Sequence, residues 1–443
     1  MHSNNPFQRG SSFVSSEFDR RKLLKLGATV AAGAAASGVL AACSSGGGSG
    51  SSSGGTATVR IWSWYTEMKD TLPAVIKDFE AKNPNIKIDS RIFGTPDQYL
   101  PALTAAVSGG DVPEIFAPHV RAITYGEQGI SADLEKELGS SFLQNFFPPT
   151  NQEYTKNGKQ YAVGWEAQTF GLFYNPDIFK QAGVNGEPET WDDLIQAAAK
   201  INAVGKASVS ISCNPTTSAL DFFLPLITQV ADDPTYYLKL DQLQEGYTYT
   251  DKLVVQALEL NDRIVKAKVF QPGTTGTSGD QAQQLFYTEG AAMFFAGSWT
   301  PSGLITNAPA AFVKKYKVMK TPAIKSGARH WTADQAGAGF AVSETSKNKD
   351  AALTFLKYLY SDAVYSDLMN KSNAMPSTQS AAGQITNPML KLMTSWLPDG
   401  CPHIPFGAGS SAAGDPLGKI FDQSASPATV AQGMQAAVLN AKG

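Results

Sequence analysis

Several residues have the types that catalytic and metal sites use, but their spacing forms none of the known motifs. None of the histidines can form the HExxH motif of zinc peptidases; they stand at His2, His119, His330 and His403. No two cysteines have the CxxC spacing. Each Gly-Lys pair is followed by Gln, Ala or Ile, so none supplies the Ser or Thr with which a phosphate-binding loop holds Mg²⁺. We therefore expect no catalytic residue, no metal site and no cofactor.

One formal catalytic match lies in a segment that cannot support it. Residues 50–54 fit the GxSxG pattern of serine hydrolases, but they belong to a run of Ser and Gly with neither a strand before nor a helix after. A pair of glycosidase carboxylates, by contrast, is defined by a distance in space and not by sequence spacing. Hydrolysis of glycosides therefore stays open as an alternative.

The N-terminal 55 residues are typical of export and not of a folded domain. Arg20 and Arg21 precede an uncharged stretch, 26–42, that is rich in Ala and Gly and ends at Cys43. The arginine pair resembles a twin-arginine signal, and the Leu-Ala-Ala-Cys sequence resembles a lipobox. A transmembrane helix is the weaker reading, because the stretch is short and its residues contribute little transfer energy. We expect 1–42 to be an export signal, Cys43 the lipid attachment, and 43–55 a flexible tether.

The composition excludes several classes of protein. The 443 residues include 36 Lys and Arg against 39 Asp and Glu, a net charge of −3, and 17% are charged. Residues 1–42 hold five basic and two acidic residues, so their removal would leave a net charge of −6. No clustered basic surface for nucleic acid is indicated. The 42% hydrophobic residues are enough for the two or three domains that this length predicts.

From Thr56 onward the pattern predicts an α/β fold. A strand at 58–62 is followed by a helix with apolar residues at Leu72, Val75, Ile76 and Phe79, the spacing of one helical face. A second strand follows at 86–92, which completes a strand–helix–strand unit and indicates a mostly parallel sheet. Farther along the chain, Thr190 and Asp193 predict a capping box at the start of a helix, and another helix is expected at 350–360.

Four segments resemble one family, the bacterial family 1 extracellular solute-binding proteins of ABC importers. They are residues 79–88, 108–116, 158–176 and 286–299. The second carries Glu114 where Asp is commoner. The family signature to which the third belongs departs from the common pattern at Glu166 and, beyond the segment, at Gln181. The segments are distributed over most of residues 57–375, so the resemblance is broad.

The resemblance implies two α/β lobes, a type II-like arrangement in which a hinge joins the lobes and the ligand is buried between them. We expect lobe 1 at 56–134 plus 322–362, and lobe 2 at 135–321 plus 363–443. Ligands of open α/β sheets lie beyond the carboxyl ends of the strands. The residues that follow strands should therefore form the site.

Those residues have the composition that a sugar site needs. Aromatic rings pack on the apolar faces of a pyranose, and polar groups bind its hydroxyls. The expected ligand-binding residues are Trp64, Tyr65, His119, Arg121, Trp165, Glu166, Trp299, Trp331, Asp334, Gln335, Asn373 and Phe406. Few cations are among them, which favours an uncharged sugar over an anion.

The function implied is capture by closure of the lobes. A di- or oligosaccharide would be held by a monomer that lipidated Cys43 anchors on the outer face of the cell membrane, and delivered to permease subunits powered by a cytoplasmic ATPase. The alternatives are a secreted lipoprotein glycoside hydrolase and a purely structural surface lipoprotein. The two remaining cysteines, Cys213 and Cys401, both fall in lobe 2 and outside the cytosol, where a disulfide could form.

Overall fold

The computed structural model describes residues 55–214, 217–402 and 408–442. The export segment 1–42, Cys43 and nearly all of the tether 43–55 lie outside the described residues, as does Phe406. The expectations for those positions therefore remain predictions.

The described chain alternates short strands with helices around one mixed sheet. The strands are β1 (Ala57–Ser63), β2 (Ile86–Ile92), β3 (Ile115–Phe116), β4 (Thr155–Lys156), β5 (Lys159–Gln160), β6 (Val163–Tyr174), β7 (Ala207–Ser210), β8 (Ala291–Gly297), β9 (Lys317–Met319), β10 (Thr332–Val342) and β11 (Gly400–Pro402). Hydrogen bonds join them in the order β2-β1-β3-β10-β6-β8-β7, with β9 paired to β6 and β11 to β10; β4 and β5 form a separate hairpin.

Helices connect and cover these strands. They are α1 (Leu72–Lys82), α2 (Pro96–Gly109), α3 (Ala122–Glu127), α4 (Leu134–Leu138), α5 (Ser140–Leu143), α6 (Pro148–Gln152), α7 (Pro176–Gln181), α8 (Trp191–Ala203), α9 (Thr217–Ala231), α10 (Tyr236–Asp241), α11 (Lys252–Lys266), α12 (Gly279–Tyr287), α13 (Thr300–Asn307), α14 (Ala310–Val313), α15 (Lys349–Leu359), α16 (Asp362–Ser372), α17 (Gln379–Ala382), α18 (Pro388–Thr394), α19 (Ala408–Phe421) and α20 (Pro427–Lys442).

The local elements predicted from the sequence are confirmed. β1 and β2 run parallel in register from Ala57 with Ile86, and α1 connects them. The capping box at the start of α8 is formed: the Thr190 side chain accepts from the Asp193 backbone N–H, and the Asp193 carboxylate accepts from the Thr190 N–H. The helix expected at 350–360 is α15.

The sheet is mixed, which corrects the expectation of a mostly parallel one. β10 runs antiparallel to both β3 and β6, and β6 runs antiparallel to β8 and β9. The reason is the length of two strands. One half of β6 pairs with β10 and the other half with β8, so β6 extends across the middle of the sheet. β10 runs along it in the opposite direction, which makes the pairing antiparallel.

The buried apolar side chains form two hydrophobic clusters, and β6, β8, β9 and β10 contribute to both. The first contains the side chains of β1, β3 and α15, such as Ile61, Phe116 and Phe355. The second contains those of α8, α9 and α11, such as Leu194 and Phe222. Side chains between 365 and 397, which the sequence analysis assigns to lobe 2, belong to the first cluster. The lobe limits themselves stay a prediction.

The two cysteines of the second cluster are free thiols in the structure. Cys213 and Cys401 are both buried and not bonded to each other, so the disulfide that could have joined them is absent from it. The Cys401 Sγ instead donates a hydrogen bond to the Thr332 carbonyl oxygen at 2.8 Å. Burial raises the pKa of the Cys213 thiol to about 12, so it is protonated at neutral pH.

The described helices were also compared with the requirements for membrane insertion. None of them has the length and the apolar character that crossing a bilayer requires.

Candidate functional site

The loops that follow β1 and β3 bring three aromatic rings together, and a fourth comes from Tyr99 of α2. The Trp64 ring lies 4.9 Å from the Tyr65 ring, 4.9 Å from Tyr99 and 5.4 Å from the His119 ring, in edge-on or tilted geometry. β1 and β3 are adjacent and parallel, so their carboxyl ends meet at one edge of the sheet. The structure therefore brings Trp64, Tyr65 and His119 together, and their contact with a ligand stays a prediction.

His119 is held as a neutral imidazole. Its pKa is lowered from 6.5 to about 4, first by burial and second by the positive charge of Arg121. Arg121 itself donates from Nη1 to the Thr104 hydroxyl at 3.0 Å and the Tyr125 hydroxyl at 3.3 Å. The cation is therefore bound by α2 and α3, and at neutral pH this edge of the sheet carries no positive imidazole.

Tyr65 joins the first strand end to β10. Its hydroxyl donates to the Gly339 carbonyl oxygen at 2.7 Å and accepts from the Gly339 N–H at 2.8 Å. The pairing of β10 with β6 is irregular between Gly337 and Gly339, which leaves these backbone groups available to the tyrosine. Because Tyr65 is only 3% exposed and both hydrogen-bonding roles are occupied, it positions β10 against β1.

One face of β6 presents a row of polar side chains. Glu166 and Gln168 are partly exposed, whereas the residues that alternate with them along the strand, Trp165, Ala167 and Thr169, are buried. Gln335 of β10 is opposite Gln168 in the register, and its Nε2 donates to the Gln168 Oε1. The Gln168 Nε2 in turn lies 3.4 Å from the Glu166 Oε2. Two side-chain hydrogen bonds thus connect the amides of Gln335 and Gln168 to the carboxylate of Glu166.

A second carboxylate, Glu67, acts on Glu166 through its charge. It lies in the 3₁₀ turn Thr66–Met68 after β1. The pKa of Glu166 is raised from 4.5 to about 8, first by burial and then by the negative charge of Glu67. Burial also raises the pKa of Glu67. At neutral pH Glu166 therefore keeps a proton that an isolated glutamate would lose.

Trp299 extends the row at the end of β8. Its ring packs edge-on against Phe170, with 5.1 Å between the ring centroids, and 45% of the residue remains exposed. Phe170 follows Glu166 and Gln168 on the same face of β6 and pairs with Gly297 of β8. A Cβ on Gly297 would lie 2.0 Å from the Trp299 ring, so glycine is what allows the ring to lie there. A flat, accessible aromatic surface follows the polar row.

Trp165 lies on the opposite face of β6 from this row. It is completely buried and its ring contacts Phe340, Tyr360 and Tyr365 at 5.2–5.7 Å between centroids. The sequence analysis expected the site residues to follow strands. β6 begins at Val163, however, so Trp165 and Glu166 lie inside the strand and point to opposite faces.

Asp334 and Gln335 are likewise inside β10 and not before it. Asp334 is completely buried, and its Oδ1 accepts from the Thr332 hydroxyl at 3.0 Å. Trp331 is 7% exposed within the second cluster, and the Arg329 guanidinium lies 4.7 Å from its ring centroid. Alternation along the strand therefore separates Gln335, which joins the polar row, from Asp334, which does not.

Asn373 lies close to the turn that carries Glu67. It ends α16 in the left-handed conformation, and its neighbour Ser372 donates to the Glu67 carbonyl oxygen at 3.3 Å. The Ala167 N–H also donates to the Met375 carbonyl oxygen at 3.0 Å, which attaches this loop to β6. Asn373 is thus near the row, whereas Phe406 lies outside the described residues.

Three residues of the site were missed by the sequence analysis: Glu67, Gln168 and Phe170. Gln168 and Phe170 follow Glu166 at the strand period of two, a signal that would have identified them had β6 been predicted to start at Val163. No local signal marks Glu67, because its partner Glu166 is distant in the chain. Among the described residues, no group of His, Cys, Asp and Glu is arranged to hold a metal ion.

Comparison with known proteins gives a consistent result. Residues 65–365 match the family model of the bacterial extracellular solute-binding proteins. The chain is 25% identical over 305 residues to the multiple sugar-binding protein of Streptococcus mutans, which covers 68% of this chain and 70% of that protein.

Solved structures show the same fold. A family 1 extracellular solute-binding protein from Bifidobacterium longum subsp. infantis is 23% identical, with a TM-score of 0.72 over 87% of this chain and 100% of that one. The cyclic alpha-maltosyl-1,6-maltose binding protein from Arthrobacter globiformis is 19% identical, with a TM-score of 0.74 over 87% and 99%. The predicted two-lobed α/β fold is confirmed, and the chain belongs to the bacterial extracellular solute-binding protein family.

Proposed function

We propose that this protein captures a di- or oligosaccharide between its two lobes and delivers it to an ABC importer. The observation that carries the proposal is the composition of the row on β6 and β10: amide and carboxylate groups at Gln168, Gln335 and Glu166, next to a 45% exposed Trp299. Aromatic surface beside a few converging polar groups is what a buried ligand site needs. The sugar-binding relatives of the chain support the same class of ligand.

Closure of the lobes is the proposed mechanism of capture. β6 and β10 connect the part of the sheet that contains β1 and β3 with the part that contains β8 and β7, and the polar row lies on them. A ligand that contacts residues of both lobes stabilises the closed state by the contacts it makes only there. We propose the lobes as predicted, 56–134 plus 322–362 and 135–321 plus 363–443, with these two strands in the hinge.

The transport work would be done by partners. The closed, liganded monomer would dock on permease subunits in the membrane, and a cytoplasmic ATPase would supply the energy. The protein itself would carry out no reaction, and the family consists of binding proteins. A glycoside hydrolase would release reducing ends from the same sugars, so incubating the panel described below with the protein distinguishes the two functions.

The anchor is proposed to be a lipid on Cys43, after removal of residues 1–42. The Ser and Gly tether would then reach roughly 20 Å from the membrane, the r.m.s. length of about twelve flexible residues. Replacing Cys43 by Ala should move the protein from the membrane fraction into the soluble extracytoplasmic fraction. Membrane retention of that variant would contradict lipid anchoring.

Binding is tested by titrating the purified protein with mono- to tetrasaccharides of different linkages in a thermal-shift screen, followed by calorimetry. We expect at least one di- or oligosaccharide to raise the melting temperature and to bind with one-to-one stoichiometry. A melting temperature that stays unchanged across the whole panel would contradict the proposed function.

A further inference from the structure

An open cavity lies at the edge of the sheet opposite to the candidate site. Ala207, the first residue of β7, lines it and pairs with Ala291, the first residue of β8. Trp299 comes after the last residue of β8, so the length of the strand, roughly 20 Å at about 3.3 Å per residue, separates the two places. The cavity has a volume of about 620 Å³, which is within the range of small-molecule sites. It is therefore large enough for a ligand of its own.

Three helices end at this cavity. Two residues after the last residue of α8, α11 and α19, the backbone takes the left-handed conformation, at Gly205, Lys268 and Gln423 respectively, and all three of these residues line the cavity. The Asn202 Nδ2 donates to the Lys268 carbonyl oxygen at 2.9 Å, which joins the end of α8 to the end of α11. The wall of the cavity is thus built from helix ends that are attached to one another.

The floor of the cavity is apolar. Phe270 and Phe421 line it, their ring centroids lie 5.3 Å apart, and the two residues are only 8% and 6% exposed. Both belong to the second hydrophobic cluster, so the cavity reaches down to the core of this part of the molecule. An apolar group that covers this floor is removed from water, which favours its binding.

The rim of the cavity is positively charged. Lys206, Lys266 and Lys268 line it, and none of the described residues that line it is Asp or Glu. Lys266 is neutralised by Asp262, whose Oδ2 lies 2.6 Å from its Nζ. Within the described part of the chain, the Lys206 and Lys268 ammonium groups have neither an ion pair nor a hydrogen bond. The cavity thus keeps two uncompensated positive charges.

The backbone at Lys268 supports a role for its side chain. Its φ is +56°, which is unfavourable for a residue with a Cβ, and glycine is the usual residue at this place after a helix, as Gly205 is after α8. Cations near the carbonyl end of a helix are stabilising, but Arg263 and Lys266 already occupy the last turn of α11. A further lysine in a strained conformation is therefore best explained by an anion that it binds.

We propose that this cavity binds a small organic phosphate ester, with the phosphate held by the Lys206 and Lys268 ammonium groups and the apolar body against Phe270 and Phe421. The two charges of a phosphate dianion match the two uncompensated lysines, and its oxygens accept charge-assisted hydrogen bonds from them. A carboxylate would supply only one charge and an uncharged sugar none. The site is additional to the proposed sugar site and does not depend on it.

The experiment titrates the mature protein, prepared without its lipid, with phenyl phosphate at about pH 7.5, where a phosphate ester is mostly dianionic. Phenol lacks the charge and inorganic phosphate lacks the apolar body, so these are the matched probes. Calorimetry gives each Kd at low and at physiological ionic strength, between which the screening length falls from about 30 Å to about 8 Å. Sedimentation with neutral vesicles, with and without phosphatidic acid, tests whether the same headgroup is recognised in a membrane.

We expect phenyl phosphate to bind with one-to-one stoichiometry and with a Kd at least about tenfold lower than those of phenol and inorganic phosphate, because only the ester uses both the floor and the lysines. Its Kd should rise with ionic strength. The double variant Lys206→Gln and Lys268→Gln should raise the Kd at least about tenfold. The control Lys252→Gln and Lys391→Gln removes two exposed lysines of α11 and α18 and should leave the Kd unchanged.

The variant Lys268→Gly separates a ligand site from a structural role. Glycine relieves the left-handed backbone, so the melting temperature should stay the same or rise, while phenyl phosphate should bind more weakly. If Lys268 only stabilises the end of α11, this variant would melt at a lower temperature and bind phenyl phosphate as wild type does, and the inference would be wrong.

Three other results would overturn the proposal. They are a lack of saturable phenyl phosphate binding, an equal Kd for wild type and the double lysine variant, and binding to phosphatidic acid vesicles without binding of the soluble ester. None of them bears on sugar capture, which is tested with different ligands. A sugar from the thermal screen that competes with phenyl phosphate would place both ligands in one site and would also contradict a separate cavity.

Discussion

Single residues of this protein acquire their roles from the face of the strand on which they lie. Trp165 and Glu166 are adjacent in the chain, yet one is core and the other lines the candidate site. Asp334 and Gln335 divide in the same way on β10. Because side chains alternate along a strand, adjacent residues of suitable type cannot both serve one ligand on one face. Residue type alone therefore predicts more ligand-binding residues than the site contains.

Trp299 is the residue whose truncation should cost the most binding. Covering the 45% that is exposed is worth about 2–3 kcal/mol at ~25 cal/mol per Å², roughly a hundredfold in Kd. We expect Trp299→Ala to weaken sugar binding by about that factor in calorimetry. Leu439→Ala, which truncates a 51% exposed side chain on α20, should leave the Kd unchanged. Equal affinities for wild type and Trp299→Ala would remove this residue from the site.

The raised pKa of Glu166 predicts a pH-dependent stability without any ligand. The folded protein holds this proton up to about pH 8, whereas the unfolded chain releases it near pH 4.5. The stabilising contribution is thus complete below pH 4.5 and is lost as the pH rises toward 8. Melting temperatures of Glu166→Gln measured from pH 5 to 9 should fall less with rising pH than those of wild type. Parallel curves would show that Glu166 titrates normally.

At the scale of elements, β6 is constrained as a whole and not only at its polar residues. It pairs with β10 along its first half and with β8 and β9 along its second half. Gly171 lies in the second half, where a Cβ would come 2.7 Å from the Met319 carbonyl oxygen and 2.9 Å from the Trp396 ring. The backbone oxygen belongs to a paired strand and has little freedom to move. The strand can therefore approach its neighbours this closely only with glycine.

Gly171→Ala should consequently destabilise the fold. Overpacking of this kind costs typically about 1–3 kcal/mol, so the melting temperature should fall by several degrees. Gly279→Ala is the matched control, because nothing lies within 4 Å of its Cβ at the start of α12 and alanine favours a helix. A thermal melt compares the two. If both variants melt at the wild-type temperature, β6 has more room than the structure indicates.

At the scale of the whole molecule, a sheet whose two ends are connected through two long strands suits a body that closes on its ligand. β10 and β6 lie between the end formed by β2, β1 and β3 and the end formed by β8 and β7. In small-angle X-ray scattering, a sugar identified by the thermal screen should lower the radius of gyration, because closure brings the two sides together. The Trp299→Ala variant at saturating ligand tests whether closure needs that contact. Identical scattering of free and saturated wild type would contradict capture by closure.

Local sequence patterns determined much of this protein by themselves. The β1–α1–β2 unit, the capping box of α8 and the helix α15 follow from periodicity and end signals within a few residues, so they were predictable. The export pattern ending at Cys43 and the family resemblance also depend only on residues that are close in sequence. Local propensity and local hydrogen bonds decide such features, and both can be read along the chain.

Only the tertiary structure decided which side chains meet. Gln335 reaches Gln168, and the charge of Glu67 acts on Glu166, because β1, β10 and β6 are brought together in the sheet, although they are far apart in sequence. The residues at which β6 and β10 begin also decided which face each of their side chains occupies. The composition of a segment does not reveal where its strand begins. Strand pairing over long separations depends on the packing of the whole chain. For that reason the family was predictable, whereas the side chains that meet at the candidate site were not.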